Sequence, residues 1–479
     1  MTVRLSLDMA FRHAASICLP HMTGAHPPKY RLTTTEQLEP GNWNSTNTAS
    51  VTEAAALTYT LATVVPMTRA TEQVAVIFLE TSLTFRLARE NIKSCYSSHV
   101  MVGPDCYCSY RPETLINVKC RNVRLRDSDY HILEAVEAAS DAPLVVLLHG
   151  FPELAYSWRK VIHPLSQAGY RVVAPDQWGY GKTVTSPIQY DDDLAPFQMS
   201  NLVQDIVTLV HTLGYTTASV VGHDFGSLVA GFCALTRPDI FQSVVFMSAP
   251  FTGLSAPGAP LFPTNAIERT LSLMNPPRKH YTAYFSSRDA NKHIMRTQPP
   301  EHFFRAYFHA KAADGIGLGN NNPHPLASVD EMEELPRYYV MLQHETMPDA
   351  VHQPQDTPDI SWLTPSELST YAHEYSRTGF QGGLNWYRCS IDAQWTRDLS
   401  EFAGKGVEVP AMFIAGTMDW GAYQAPGALV RMKSEICGRM DERDVVLIED
   451  AGHWVQQEQS EAVITELVRF LGLHYGGSP

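Results

Sequence analysis

The chain has 479 residues, room for about three ordinary domains or for one large core with an insert. Hydrophobic residues make up 44% and charged residues 18%, which excludes a fibrous chain and a wholly disordered one. Acids outnumber Lys and Arg by 50 to 36, and no basic cluster interrupts that balance, so neither nucleic acid nor an anionic membrane is an expected partner.

Residues 1–112 read as a weakly ordered N-terminal extension, Thr/Ser-rich between Thr33 and Thr60, with one amphipathic patch, Glu72–Asn91, suited to a helix. Arg4 and Arg12 against a single Asp8 leave a faint trace of a transit peptide, but the stretch lacks the apolar core and cleavage site of a secretory signal. No run is long and apolar enough to predict a membrane span. The eight cysteines are scattered, and Cys106 and Cys108 lack the second pair that a zinc site needs. Free thiols and a cytoplasmic location are expected.

From residue 113 the pattern changes. Val118–Leu125 and Tyr130–Val136 predict a strand pair. Short apolar runs then recur at Leu144–Leu148, Tyr170–Ala174, Ala218–Val221, Ser243–Met247, Ala411–Ala415 and Val445–Ile448. Without polar alternation they suit strands covered on both faces, hence a parallel sheet. A helix is expected after Ser200 as N-cap, with Leu202, Ile206, Leu209, Val210 and Leu213 on one face and Gly214 as its stop. Phe225–Thr236 predicts another. This alternation is the signature of an α/β fold, its core divided into 113–250 and 386–479. Between them, 251–385 reads as an inserted helical cap, with helices at Glu301–Ala313 and after the Thr364-Pro365-Ser366-Glu367 capping box, and a flexible connector at Gly315–Leu326.

The sharpest chemical signal is Gly222-His223-Asp224-Phe225-Gly226-Ser227, where a buried strand turns into a helix. Small neighbours permit the tight turn of a nucleophile elbow, with Asp224 in the raised position that serine commonly occupies. A mere helix cap would not need small residues on both sides. A carboxylate attacks saturated carbon, displaces a leaving group and becomes an ester that activated water can cleave. Epoxides and alkyl halides are therefore the expected substrates. The base would be His453, after the last strand, oriented by Asp419 at the end of the preceding one. Asp450 is a nearer acid in sequence but more suited to shaping a turn, and the segment Ser248–Thr252 offers no carboxylate. In α/β-hydrolase geometry the loop His149-Gly150-Phe151-Pro152-Glu153 supplies one oxyanion-hole amide, that of Phe151, and Phe225 supplies the other.

These motifs, with Ala451-Gly452-His453-Trp454 and Thr378–Arg388, resemble the epoxide hydrolase family of α/β-hydrolases over about residues 115–475. The resemblance implies an α/β-hydrolase fold, a mostly parallel sheet flanked by helices with an inserted helical cap. It implies an epoxide and water as reactants; with no GxGxxG after a strand and no HExxH in the chain, neither nucleotide cofactor nor metal is expected. Two cap tyrosines would donate to the epoxide oxygen: Tyr387 in Asn385-Trp386-Tyr387-Arg388, and Tyr281, with Tyr284 as the alternative about one turn away. Trp386 is expected beside the substrate. Phe225 departs from the Trp common at its position; lacking the indole N–H that holds a departing halide, it weakens a dehalogenase reading. Trp178 stands where Arg would be expected. Gly179–Thr183 mimics a phosphate loop, but Asp176 occupies the position of its first glycine. A dehalogenase, an epoxide-opening cyclase and a non-catalytic binding module remain alternatives, and secondary-metabolite biosynthesis and detoxification are both compatible roles.

Overall fold

The computed structural model describes residues 117–136, 141–315, 322–351 and 360–474, with Tyr110, Leu115 and the backbone of two dipeptides, Ala49–Ser50 and Thr60–Leu61. The chain divides into two units, Met1–Gly103 and Pro104–Pro479. In the first, the two dipeptides pair antiparallel. The helix expected at Glu72–Asn91 lies outside the described residues, as does half of the Gly315–Leu326 connector.

The second unit is built on an eight-stranded sheet. Its strands are β1 (Val118–Leu125), β2 (Ser128–Ala135), β3 (Leu144–Leu148), β4 (Arg171–Pro175), β5 (Ala218–His223), β6 (Phe241–Met247), β7 (Ala411–Gly416) and β8 (Val445–Ile448). They lie in the order β8-β7-β6-β5-β3-β4-β2-β1. Strands β3 to β8 run parallel, while β1 and β2 form an antiparallel hairpin and β2 lies antiparallel to β4. The apolar runs explain this arrangement: all five residues of β3 and all six of β5 and β7 are buried, since helices cover both faces of a parallel sheet. Each such Val or Leu side chain contributes roughly 1.5–3 kcal/mol on burial.

Helices α1 (Met199–Thr212) and α2 (Phe225–Thr236) pack against each other, and α2 packs on β5 and β6. Helix α1 starts earlier than Ser200 would set it. Gln198 is the extended N-cap, its carbonyl accepting from the Leu202 amide at 3.0 Å. Burial of Met199 brings that residue into the first turn, and the Ser200 hydroxyl instead bonds the Asp398 carboxylate.

Between β6 and β7 lies an insertion that contains helices α3 (Tyr281–Phe285), α4 (Pro300–Lys311), α5 (Pro365–Thr378) and α6 (Gln381–Ile391). Thr364 and Glu367 close a reciprocal capping box at the start of α5, with Pro365 in the first turn. The insertion also holds a short antiparallel strand pair, Arg278–His280 with Val340–Leu342. Helix α6 runs through residue 385, where the sequence pattern sets the return to the core. Among the described residues no helix is long and apolar enough to cross a membrane.

One expectation for the early chain needs correction. Cys120 is disulfide-bonded rather than free. Spacing along the chain does not reveal which Cβ atoms come within the roughly 4 Å that a disulfide needs. Tyr110, assigned to the extension, is fully buried and donates to Asp176 Oδ2 at 2.9 Å. Asp176 also accepts from the Ala155 and Lys182 amides at 2.9 and 3.0 Å, so it ties three segments together. Tyr110→Phe is expected to lower unfolding free energy by about 1.5–3 kcal/mol, the loss of a bond to a buried charge. Urea titration with unchanged slope is the check.

Candidate active site

Chain order reverses direction across the sheet between β3 and β5, and the crevice beyond the carboxyl ends of such strands is where open α/β sheets hold their ligands. Both strand ends carry motif residues. β3 leads into His149–Glu153, and β5 ends at His223, immediately before Asp224.

Asp224 adopts φ 53° and ψ −119°, a conformation rarely taken by a residue with a side chain. Its flanking glycines make the turn possible. A Cβ built at Gly222 would overlap the Gly226 carbonyl, and one at Gly226 would overlap the Leu148 carbonyl of β3. Gly150 is equally constrained, because a Cβ there would overlap Asp224 itself.

The carboxylate is held from two sides. The Phe151 amide donates to Oδ1 at 3.0 Å, and His453 Nε2 lies 3.2 Å from Oδ2. On the far side of the imidazole, Nδ1 is 3.1 Å from Asp419 Oδ1, which also accepts from the Gly421 amide at 2.6 Å. Asp450 is exposed on its loop. Burial opposes ionisation of Asp224, but the His453 hydrogen bond and the charges of His453, Lys311 and His223 outweigh it and hold this carboxyl well below the usual range. Asp419 is lowered in the same way, burial being overcome by His453 and the Gly421 amide.

Tyr281, at the start of α3, and Tyr387, in α6, line one cavity of about 390 Å³ together with Asp224, Phe225 and Leu228. Their ring centroids are 5.9 Å apart, and the Tyr387 ring packs edge-on against Phe151 and Phe225. Burial, and then the Asp224 charge, push both phenols well above their ordinary value, so each keeps its proton. Tyr284 faces His293 instead, 3.5 Å from its Nδ1. Trp386 is absent from the cavity lining; its indole donates to the Trp178 carbonyl at 2.9 Å and its ring packs behind Phe225. Adjacent helix positions differ by about 100°, so Trp386 and Tyr387 cannot share a face.

Several further residues support the site, two of them (His223 and Glu153) from within the motifs and the rest with no motif signal. His223 joins Glu153 Oε2 at 2.6 Å to the His453 carbonyl at 2.7 Å, and the Ser248 hydroxyl donates to the same carbonyl at 2.9 Å. Glu458 accepts from the Ala313, Gly452 and Trp454 amides at 2.8, 2.9 and 2.9 Å, pinning the loop of His453. Burial pushes its carboxyl up to about 7 despite those bonds. Lys311 ends α4, only 3% exposed, with Nζ 4.7 Å from the Tyr339 ring and 5.3 Å from that of Tyr307. Burial lowers its pKa, against the pull of Asp224 and Asp419. A helical pattern marks Lys311 as a last-turn cation and gives no sign that the sheet faces it. Gly181 lies against the Asp176 carboxylate, and its carbonyl accepts from Arg377 at 2.7 Å, so the phosphate-loop lookalike is packed from within.

Because the folded pKa of Asp419 is depressed, its ionised form adds stability. That contribution is fully present above the unfolded value of about 3.9 and is lost as pH falls through the folded value. Wild type is therefore expected to exceed Asp419→Asn in stability at pH 6, with the gap narrowing towards pH 3. Urea unfolding at both pH values measures it.

A family model for the alpha/beta hydrolase fold matches residues 143–267. Epoxide hydrolase B of Mycobacterium tuberculosis is 34% identical over 370 residues, covering 74% of this chain and 97% of that protein. Epoxide hydrolase A of the same organism is 33% identical over 351 residues, covering 73% and 96%. Among solved structures, an epoxide hydrolase from an endophytic Streptomyces aligns with a TM-score of 0.61 and 29% identity, over 75% of this chain and 97% of that one. Epoxide hydrolase A from Mycobacterium thermoresistibile gives 0.58 and 32%, over 74% and 98%.

Proposed function

Since the chain belongs to the epoxide hydrolase family of α/β-hydrolases, we propose that it converts an organic epoxide to a vicinal diol through an ester on Asp224. The observation that supports this reading is one cavity lined by a carboxylate and two phenols, with an imidazole behind the carboxylate. Each group has a part in a two-step reaction.

In the first step the Asp224 carboxylate attacks a ring carbon. The Phe151 amide engages Oδ1, which leaves Oδ2 to form the new bond. As the C–O bond breaks, alkoxide character grows on the epoxide oxygen. A phenol that keeps its proton can donate to that oxygen, and general-acid help of this kind is worth roughly 10²–10⁴-fold. Tyr387 and Tyr281 take this role.

In the second step His453 removes a proton from water, and Asp419 stabilises the resulting imidazolium. Water attacks the Asp224 carboxyl carbon, so the oxyanion forms on the protein itself; its collapse breaks the bond from that carbon to the alkyl oxygen, and the proton held by His453 passes to the departing diol oxygen. The Phe151 amide is already at Oδ1, and Phe225, first residue of α2, adds one of the amides that a helix start leaves without an intrahelical acceptor. Substrates with apolar or mixed character suit walls supplied by Phe225, Leu228, Phe232, Phe251 and Phe262.

Two variants test the scheme. Incubated with a simple aryl epoxide, His453→Gln is expected to gain the mass of one epoxide, mapped by peptide mass spectrometry to the fragment containing Asp224. Unmodified protein, despite measured binding, would overturn the ester. Tyr387→Phe is expected to slow ring opening by roughly 10²-fold or more; a wild-type rate in rapid-quench assays would remove it from the chemistry.

A further inference from the structure

The two phenols are not equivalent. The Tyr281 hydroxyl donates to Gln424 Oε1 at 2.9 Å, whereas among the described residues the Tyr387 hydroxyl makes no hydrogen bond. Gln424 lies on the loop after β7 and also lines the cavity. Its own amide donates to the Gly421 carbonyl at 3.4 Å, and the Gly421 amide donates to Asp419 Oδ1 at 2.6 Å. The hydroxyl of an inserted helix is thus moored to the same short turn that carries the triad acid.

Tyr281 has one O–H, so it cannot donate to Gln424 and to an epoxide oxygen together. An amide carbonyl competes well with the oxygen of an intact epoxide. It competes poorly with an oxygen acquiring negative charge, because hydrogen bonds to ionised acceptors are roughly twice as strong as neutral ones. The mooring therefore withholds the donor from the bound substrate and releases it as the ring opens. Releasing the hydroxyl breaks its bond to Gln424, so what counts towards the rate is only the excess of the bond made to the charged oxygen over the bond given up, while the bound epoxide gains nothing from Tyr281.

Building on the epoxide-opening scheme above, we propose that Gln424 is a positioning residue that reserves the Tyr281 hydroxyl for the transition state. It acts on ring opening and through Tyr281 alone. The unmoored Tyr387 then serves as the donor to the bound epoxide, and the pair divides ground-state recognition from transition-state stabilisation.

The test uses the full-length chain with His453→Gln, so that ester on Asp224 accumulates and can be quantified by rapid quench against aryl epoxide concentration. Adding Gln424→Leu removes the acceptor. The substrate dissociation constant is expected to fall by roughly three- to tenfold, the size of one neutral hydrogen bond, and the ring-opening rate constant to rise by no more than that factor, because the bond between Tyr281 and Gln424 no longer has to break. With Tyr281→Phe also present, Gln424→Leu is expected to change neither by more than about twofold. Ester amplitude per enzyme reports the folded fraction, and Gln424→Asn, one methylene short of the hydroxyl, is the second variant should Leu fail to fold. A rise in dissociation constant, or an equal effect with and without the Tyr281 hydroxyl, would overturn the proposal. Absence of any ester with unmodified Gln424 would instead overturn the Asp224 scheme itself.

Discussion

Asp224 stands on a turn that no side-chain-bearing residue adopts cheaply. Its positive φ belongs to a class of conformations that costs about 1–3 kcal/mol and persists only where the surroundings over-determine it. Here they do so through steric closure: Gly222 and Gly226 let α2 approach β5 and β3 until backbone touches backbone, and Gly150 makes room for the carboxylate. The hydrogen bond from Phe151, the approach of His453 and the position of the cavity all refer back to where this turn puts one carboxyl group.

That carboxyl group must also stay charged while largely shielded from water. Burial alone would favour the neutral acid, and a buried isolated charge is strongly disfavoured. The site offsets this with an imidazole against Oδ2, an amide on Oδ1 and the Lys311 ammonium among aromatic rings further off. Beneath it, Glu153 and His223 form a buried pair whose far end fixes the His453 backbone. The phenols respond in the opposite sense, retaining their protons because they too are buried near a negative charge. One environment thus supports an ionised carboxylate beside un-ionised phenols.

The sheet was legible because parallel strands carry uninterrupted apolar runs, and the elbow was legible because only small residues fit around it. Asp419 and His453 could be read from their places after β7 and β8. The tyrosines could not be chosen from periodicity, since Tyr281, Tyr284 and Tyr387 all lie in helices rich in aromatic residues; family resemblance singled them out, and the cavity separates Tyr281 from Tyr284. Trp386 illustrates the limit of motif reasoning: it neighbours Tyr387 in sequence yet points to the Trp178 carbonyl. Lys311, Glu458 and Gln424 were invisible for a common reason. Each depends on a group distant in the chain, Trp454 for Lys311 and Tyr281 for Gln424, or on backbone groups that leave no mark on residue type. Tyr110 belongs with them, since nothing local ties it to Asp176.

The central claim is that a protein oxygen, not a solvent oxygen, forms the first new bond to carbon. A single turnover in ¹⁸O-labelled water with enzyme in excess distinguishes the two directly. The account predicts that the label enters the Asp224 carboxylate and that the diol carries only oxygens that were unlabelled at the start. Label found wholly in the diol, with an unlabelled Asp224 peptide, would contradict it and require direct attack by water.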